Sequence, residues 1–158
     1  MIELNQIILG DCMDVMREIP DKYFELAIVD PPYGIHEKIT NNNSKTKNKG
    51  NNFAIMYDKK QWDKNRPDKK YFDALFRISK NQIICGANYF VENLPVSRGW
   101  ILWDKMGENL SVVNDELIFT SFDISIKKFK RCHGMDKGFM NTEGKNIHPT
   151  QKPVALLS

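Results

Sequence analysis

The chain has 158 residues, 41% of them hydrophobic and 27% charged, and this balance is typical of a single folded globular domain. No apolar run approaches the ~20 residues of a membrane span, and the N-terminus has neither the basic start nor the apolar stretch of a signal peptide. The three cysteines form no Cys-x-x-Cys pair. We therefore expect reduced thiols, a cytoplasmic location, no membrane contact and no metal site.

The first half of the chain alternates predicted strands and helices. We expect a strand over 2–10, a helix over 12–19 that Pro20 ends, and a short buried parallel strand over 24–29. Residues 41–52 contain no apolar side chain and predict a mobile loop. One face of an amphipathic helix follows, formed by Tyr71, Phe72, Leu75, Phe76 and Ile78.

The second half continues with mostly short strands. A strand over 82–85 is followed by the turn residues 86–88 and by a short helix over 89–94 that Pro95 closes. Further strands are predicted over 100–103, 116–119 and, at a sheet edge, 125–132. The alternation of strands and helices indicates an α/β fold with a mostly parallel sheet.

Positive charge is gathered in one segment. The whole chain carries a net charge of +3, yet residues 36–70 contain ten Lys or Arg and four Asp or Glu, a local +6. Such a segment adds affinity for a polyanion, although a lysine-rich stretch can equally be a solvated loop. The candidate phosphate contacts are Lys38, Lys45, Lys47 and Lys49.

The sequence Asp30-Pro31-Pro32-Tyr33 directly follows the apolar segment 25–29. The two prolines fix φ and remove two backbone donors, so the loop is stiff, rich in acceptors and poor in donors. A carboxylate and an aromatic ring flank it. This combination suits a flat heterocycle with an exocyclic amino group, at the strand end where open α/β sheets bind ligands. An ordinary turn is the alternative interpretation.

With these residues in place, the chain resembles the amino DNA methyltransferases that use S-adenosylmethionine, in the permuted class whose Asp-Pro-Pro-Tyr motif precedes the cofactor motif. The middle of the chain is similar to phage-type adenine methylases. The resemblance spans almost the whole chain in the expected order. Besides 30–33, the segments that carry it are 10–16, 86–90, 99–105, 115–122 and 148–157.

The resemblance implies a Rossmann-like class I methyltransferase fold, S-adenosylmethionine as methyl donor and DNA as substrate. It implies that Asp30 and the Pro31 carbonyl orient the amino group of a flipped base, within a corner that Pro32 stiffens. Tyr33 would stack on that base. Trp103 would border the base pocket and contact DNA, although an aromatic side chain on a strand is more often part of the core.

Five residues look like cofactor-side residues by resemblance. For Asp11 a helix N-cap is an equal alternative, and one side chain can do both. A His-Pro pair such as 148–149 is by itself more often a plain turn. The five residues are Asp11, Cys12, His148, Gln151 and Lys152.

One departure from the family pattern concerns the Gly-rich loop that holds the cofactor. No Gly-x-Gly occurs in the chain, which stops at Ser158 where the helix before that loop begins. We therefore expect residues 1–158 to form one partial domain, the catalytic half, with a mobile basic loop over 36–70. A further segment or a second chain would complete the sheet. An inactive DNA-binding remnant stays open.

The substrate also has alternatives. The same motif serves methyltransferases that act on RNA or on a protein side-chain amide, whereas the basic loop and the phage-type middle favour DNA. Between adenine N6 and cytosine N4, the Asp at the first motif position favours adenine.

Overall fold

The structure is a computed structural model that describes residues 5–34, 65–105, 115–130 and 152–157. Its helices are α1 (Cys12–Arg17), α2 (Lys69–Ile78) and α3 (Val154–Leu157). Its strands are β1 (Phe24–Val29), β2 (Ser79–Ile84), β3 (Trp100–Asp104), β4 (Glu116–Thr120) and β5 (Lys127–Lys130). Two 3-10 turns, Ala87–Tyr89 and Val91–Asn93, follow β2.

The five strands of the described ranges form one sheet in the order β1-β2-β4-β3-β5. β1 pairs with β2 in parallel, with Val29 opposite Ile84, and β2 pairs with β4 in antiparallel register, with Ile84 opposite Phe119. The sheet is therefore mixed, whereas strand–helix alternation predicted a mostly parallel one. That alternation indicates strand direction only where a helix returns the chain, as α2 does between β1 and β2.

Helix α2 confirms the predicted amphipathic helix. Asp68 caps its N-terminus by accepting from the Lys70 and Tyr71 amides. At the other end, the Lys22 ammonium donates to the carbonyls of Phe76 and Ser79, at 2.7 and 3.1 Å, which stabilises the negative end of the helix. The buried face of the helix consists of Phe72, Leu75 and Ile78.

Helix α1 packs on α2 through a small apolar cluster. Met16, Ile19 and Ile78 are all buried there. The Arg77 guanidinium donates to the carbonyls of Met16 and Ile19, at 2.6 and 2.7 Å. Because these carbonyls lie at the C-terminal end of α1, the arginine both satisfies them and holds the segment after the helix on α2.

Two predictions about strands were wrong. Residues 5–10 form no strand, and the side chains of Ile7 and Leu9 are fully exposed, because no described segment pairs with this stretch. Strand β1 forms as predicted but is not buried: it lies at one end of the sheet order, with Leu26 39% and Ile28 47% exposed. A continuous apolar run identifies a strand but does not reveal how many neighbours cover it.

Other elements follow the sequence closely. β3 and β4 match their predicted ranges to within one residue, and β5 lies at the other end of the sheet order, as predicted for an edge strand. β2 begins at Ser79, three residues before its prediction, and the helix expected over 89–94 is replaced by the two 3-10 turns. The loop predicted over 41–52 lies outside the described residues, and the basic segment ends within α2.

The chain divides into two compact units. The first contains residues up to Pro31, then Pro67–Leu102 and Glu116–Lys127, and the second contains the rest. The boundary therefore falls inside the Asp-Pro-Pro-Tyr motif, between Pro31 and Pro32. Among the described helices, none is long and apolar enough to cross a membrane.

Gly99 should be intolerant of a side chain. A Cβ atom there would lie 2.3 Å from the Phe122 carbonyl oxygen and 3.1 Å from that of Thr120, so backbone would have to move. We expect Gly99→Ala to lower the free energy of unfolding by about 2 kcal/mol, as overpacking does. Gly10→Ala is the control, because nothing lies within 4 Å of its Cβ position. Equal urea midpoints for both variants would contradict this packing.

Candidate functional site

Three strands bring polar side chains to one edge of the sheet. β1 and β2 are parallel and end together, and the Cys85 amide donates to the Val29 carbonyl at 2.9 Å, which puts Cys85 beside Asp30. β4 runs antiparallel to β2, so its first residue, Glu116, lies at the same edge. We call Asp30, Cys85 and Glu116 the Asp30 corner.

The Asp30 corner is tight and only partly buried. One carboxylate oxygen from each acid and the Cys85 Sγ atom lie within 4.8 Å of one another. Cys85 is 1% and Glu116 4% exposed, whereas Asp30 is exposed to solvent. The Glu116 Oε1 atom accepts from the Gly86 amide at 3.1 Å. The motif carboxylate is thus exposed and lies beside a buried thiol and a buried carboxylate.

Two carboxylates and a thiol have the chemistry to coordinate a divalent metal ion. Acidic groups also lie together in many proteins without an ion, and the sequence predicted no metal site. The absence of a metal stays a prediction. Among the described residues, Asp30, Cys85 and Glu116 are the acidic and thiol side chains that lie close enough together to share an ion.

Tyr71 of α2 faces the same region. Its pKa is raised from 10.0 to about 12, chiefly because burial disfavours the phenolate, and further because Cys12 and Asp30 add negative charge nearby. Cys12 was predicted on the cofactor side and Asp30 as catalytic, so the structure places both within electrostatic reach of one phenol. The sequence did not indicate that Tyr71 lies near these two residues, because Tyr71 belongs to the apolar face of a predicted helix.

A second cluster lies in the other compact unit, and we call it the cation–aromatic cluster. The Lys152 ammonium donates to the Tyr33 hydroxyl at 3.0 Å and lies 5.4 Å from the centroid of that ring. It also lies 5.9 Å from the ring of Trp103, and the Lys105 ammonium is 4.6 Å from the same ring. Cation–π contacts of this kind contribute about 0.5–2 kcal/mol each.

The cation–aromatic cluster joins residues that the sequence put in three different roles. Tyr33 was predicted to stack on a base, Lys152 to face the cofactor and Trp103 to contact DNA. Trp103 is 1% exposed, so its burial is that of a core side chain, the alternative that the sequence left open. Tyr33 and Lys152 are half-buried. Lys105 was not predicted as a site residue, although it ends segment 99–105, which carries part of the family resemblance.

Other predicted residues are placed as follows. Asp11 is exposed and caps α1, its carboxylate accepting from the Met13 amide at 2.8 Å, so the capping role is confirmed. Cys12 is exposed at the first position of α1. Pro31 is buried and Pro32 half-buried. Six predicted residues lie outside the described part of the chain: Lys38, Lys45, Lys47, Lys49, His148 and Gln151.

Sequence reasoning missed Cys85 and Glu116 as neighbours of Asp30. A signal for each exists. Glu116 is a charged residue directly before the apolar segment 117–119, and Cys85 ends the next strand predicted after the one that Asp30 follows. Neither signal is sufficient without the pairing register, which decides which strand ends meet.

Comparison with known proteins gives weak similarity to two enzymes. The chain is 29% identical over 106 residues to the type II methyltransferase M1.MboII of Moraxella bovis, covering 66% of this chain and 39% of that protein. It is 24% identical over 203 aligned positions to the type II methyltransferase M.HinfI of Haemophilus influenzae, covering 98% of this chain and 54% of that protein. No family model matches the chain.

Both relatives are type II methyltransferases, and this similarity supports the methyltransferase class that the motifs resemble. The chain spans about half the length of these relatives or less. The base that is modified and the methyl donor are not part of either name.

The titration of Tyr71 tests the neighbourhood of Asp30. Its pKa is raised, so its contribution to stability is complete below pH 10 and is lost as the pH rises through about 12. We expect Asp30→Asn to lower the midpoint of Tyr71 ionisation, followed by phenolate absorbance and assigned with Tyr71→Phe. The decrease in the Tyr71 pKa should be smaller than the total rise, because burial is the largest cause of that rise and is kept in this variant.

Asp73→Asn on the same helix is the control, because Asp73 is not among the groups that raise the Tyr71 pKa. An unchanged midpoint in Asp30→Asn would show that Asp30 is not close to the phenol.

Proposed function

We propose that this chain carries the catalytic motif of a DNA methyltransferase that moves a methyl group from S-adenosylmethionine to the exocyclic amino group of a flipped base, adenine N6. The observation that carries the proposal is the exposed Asp30 carboxylate at the shared end of two parallel strands, directly before two prolines. The names of the two relatives support the same reaction class. A Rossmann-like fold and a cytoplasmic location belong to this proposal.

The chemistry assigned to the motif is orientation of a weak nucleophile. The nitrogen of an aromatic amine is a poor nucleophile because its lone pair is delocalised into the ring. Asp30 and the Pro31 carbonyl would each accept one N–H bond, which directs the lone pair to the opposite face and favours the developing positive charge. S-Adenosylmethionine, when bound, supplies an electrophilic methyl group.

The cofactor is proposed to bind on the side of Asp30 where α1 begins. Asp11 and Cys12 are exposed at the start of α1, and Cys12 reaches the same Tyr71 phenol that Asp30 reaches. We assign Asp11 and Cys12 to the cofactor on the family resemblance, and their exposure at the start of α1 leaves them accessible to a ligand. The assignment of Lys152 rests on the resemblance, as do those of His148 and Gln151.

Contacts with DNA form the second part of the proposal. Tyr33, three residues after Asp30, would stack on the extruded base, a contact that contributes about 1–3 kcal/mol. Trp103 would support this ring through Lys152, which contacts both aromatic side chains. Lys38, Lys45, Lys47 and Lys49 would contact phosphates, which positions DNA without reading its sequence.

A further polypeptide segment, or a second chain, is proposed to cover β1. Within the described sheet β1 pairs on one side only, and Leu26 and Ile28 on it are exposed. Exposed apolar side chains on an edge strand favour the addition of another strand. The extent of the relatives supports this, because the chain spans 39% and 54% of them.

The same partial coverage supports a second candidate function, a DNA-binding protein without catalysis, or one half of a divided enzyme. Action on RNA or on a protein amide, or on cytosine N4, would use the same corner. The reaction product formed on each substrate distinguishes these.

Removing the motif carboxylate should abolish transfer but not DNA binding. We expect Asp30→Ala to lower single-turnover methylation of DNA by about 100-fold to 1,000-fold, because one oriented acceptor at the reacting nitrogen is lost. The measurement uses the complete reading frame that contains this chain, with tritiated S-adenosylmethionine.

Glu25→Gln is the matched control, because Glu25 lies on β1, the strand that Asp30 follows, and pairs with Lys80 on the surface. DNA affinity should be the same in both variants. Methylation by Asp30→Ala at the unaltered rate would remove the proposed role of Asp30.

Binding of the cofactor separates the two candidate functions. We expect the complete reading frame to bind S-adenosylmethionine and these 158 residues alone to bind it at least tenfold more weakly, because the chain contains no Gly-x-Gly segment. Isothermal titration calorimetry measures both. If neither binds while DNA binding persists, the non-catalytic function is correct.

A further inference from the structure

Lys152 contacts two aromatic side chains from a segment that is itself anchored. The residue after it, Pro153, is fully buried, and the Pro153 carbonyl accepts from the Leu156 amide at 3.0 Å as α3 begins. The proline ring also restricts the backbone on both sides of the Lys152–Pro153 bond. The Lys152 side chain therefore extends from a fixed point of the backbone.

The Lys152 ammonium meets Tyr33 at the far end of its ring. It lies 3.0 Å from the hydroxyl oxygen but 5.4 Å from the ring centroid, so it is beside the hydroxyl rather than above the middle of the ring. A base stacks on the face of an aromatic ring, whereas this hydrogen bond is made at the hydroxyl. The ammonium thus restrains the ring without itself occupying a stacking face.

Tyr33 is restrained at the backbone as well as at the hydroxyl. Pro32 precedes it with a fixed φ, and Gly34 follows it with φ +69°, in the left-handed region. The hydroxyl oxygen is the atom of the side chain that moves farthest when the ring swings about the Cα–Cβ bond. A hydrogen bond from Lys152 to this oxygen therefore limits the orientation of the ring more than a contact nearer to the backbone would.

Trp103 provides a buried aromatic ring next to the same ammonium. The Trp103 side chain is 1% exposed on β3, and its ring centroid lies 5.9 Å from the Lys152 Nζ atom. The attraction between a cation and an aromatic ring acts within ~6 Å and is stronger where the cation is partly removed from water. Lys152 is half-buried, so its ammonium links a ring of the core to the Tyr33 ring of the motif.

We propose that Lys152 is a positioning residue for Tyr33: its ammonium, next to the buried Trp103 ring, holds the Tyr33 ring in the orientation that stacks on the substrate base. This inference rests on the proposed function and deepens it, because it gives a residue assigned to the cofactor a role on the base side. Lys152 acts through Tyr33 and does not touch the base. An ammonium has three N–H donors, so a contact with the cofactor is compatible with this role.

A double-mutant cycle tests whether Lys152 acts through Tyr33. Lys152→Met removes the ammonium and keeps a long unbranched side chain, and Tyr33→Phe removes the hydroxyl and keeps the ring. The measurement is kcat/KM for DNA at saturating S-adenosylmethionine, with the complete reading frame that contains this chain. We expect each single variant to lower kcat/KM about tenfold, because the ring is no longer held in place. In the Tyr33→Phe background, Lys152→Met should lower it by a further factor of less than about two.

Lys80→Met is the matched control, because it removes a lysine from the surface, where Lys80 pairs with Glu25. It should leave kcat/KM for DNA unchanged. Tyr33→Leu removes the stacking ring itself, so it should lower kcat/KM more than Lys152→Met does. If Lys152→Met lowers kcat/KM by the same factor with Tyr33 and with Phe at this position, Lys152 acts on another group and the proposal is wrong.

The second experiment needs neither DNA nor methyl transfer. The urea midpoints of the same four proteins, which are the unaltered protein, Lys152→Met, Tyr33→Phe and the double variant, measure the contact in the free protein. We expect the midpoint shifts of the two single variants not to add in the double variant, because both remove the same hydrogen bond. Additive shifts would show that Lys152 and Tyr33 are not coupled, which would overturn the proposal.

Together the readouts distinguish the two levels of inference. If the unaltered protein transfers no methyl group while the urea midpoints show coupling, the proposed function is wrong and with it this role, although the contact exists. If methyl transfer is normal and Lys152→Met keeps the unaltered kcat/KM for DNA, the proposed function stands and the role of Lys152 is wrong.

Discussion

The parallel pairing of β1 with β2 is the constraint on which the Asp30 corner depends. A single backbone hydrogen bond, from the Cys85 amide to the Val29 carbonyl, continues the ladder to the last residue before the motif. After Asp30, neither Pro31 nor Pro32 has a backbone amide to donate, so strand pairing stops and the chain leaves the sheet. The carboxylate of Asp30 is therefore placed by the last residue of a ladder, and the register decides which side chains it meets.

Aromatic side chains connect helix α2 with strand β4, which begins with Glu116. Phe72 of α2 packs on Phe90, with ring centroids 5.3 Å apart, and Trp100 and Phe76 each contact Phe119 of β4 edge to face. Aromatic pairs with this geometry add about 0.5–1.5 kcal/mol beyond the area that they bury. Strand β4, which begins with Glu116, thus packs on α2. This helix leads directly into β2, the strand that precedes Cys85.

How much the sequence could predict depends on the range of the interaction. Helices α1 and α2 and strands β1 to β5 follow from local residue patterns, and the end of β1 before Asp30 follows from the prolines after it. The position of Glu116 depends on β4 being antiparallel and next to β2, and no local pattern contains that information. The contact of Lys152 with Tyr33 joins residues 119 positions apart, and here family resemblance indicated two roles but not their contact.

The same long separations have a consequence for how the chain acquires its structure. In the β1–β2 ladder Phe24 stands opposite Ser79, and the Lys80–Glu25 ion pair spans 55 positions. Closing a loop of that size carries an entropic cost before any of the ladder is formed, and domains rich in such pairings fold slowly. Helix α2 is formed by local contacts, whereas Asp30 acquires Cys85 and Glu116 as neighbours only after that loop has closed. During synthesis on the ribosome, β1 emerges before β2 and is an unpaired apolar segment until β2 has been made. Binding of a chaperone to β1 in this interval would protect the chain from aggregation.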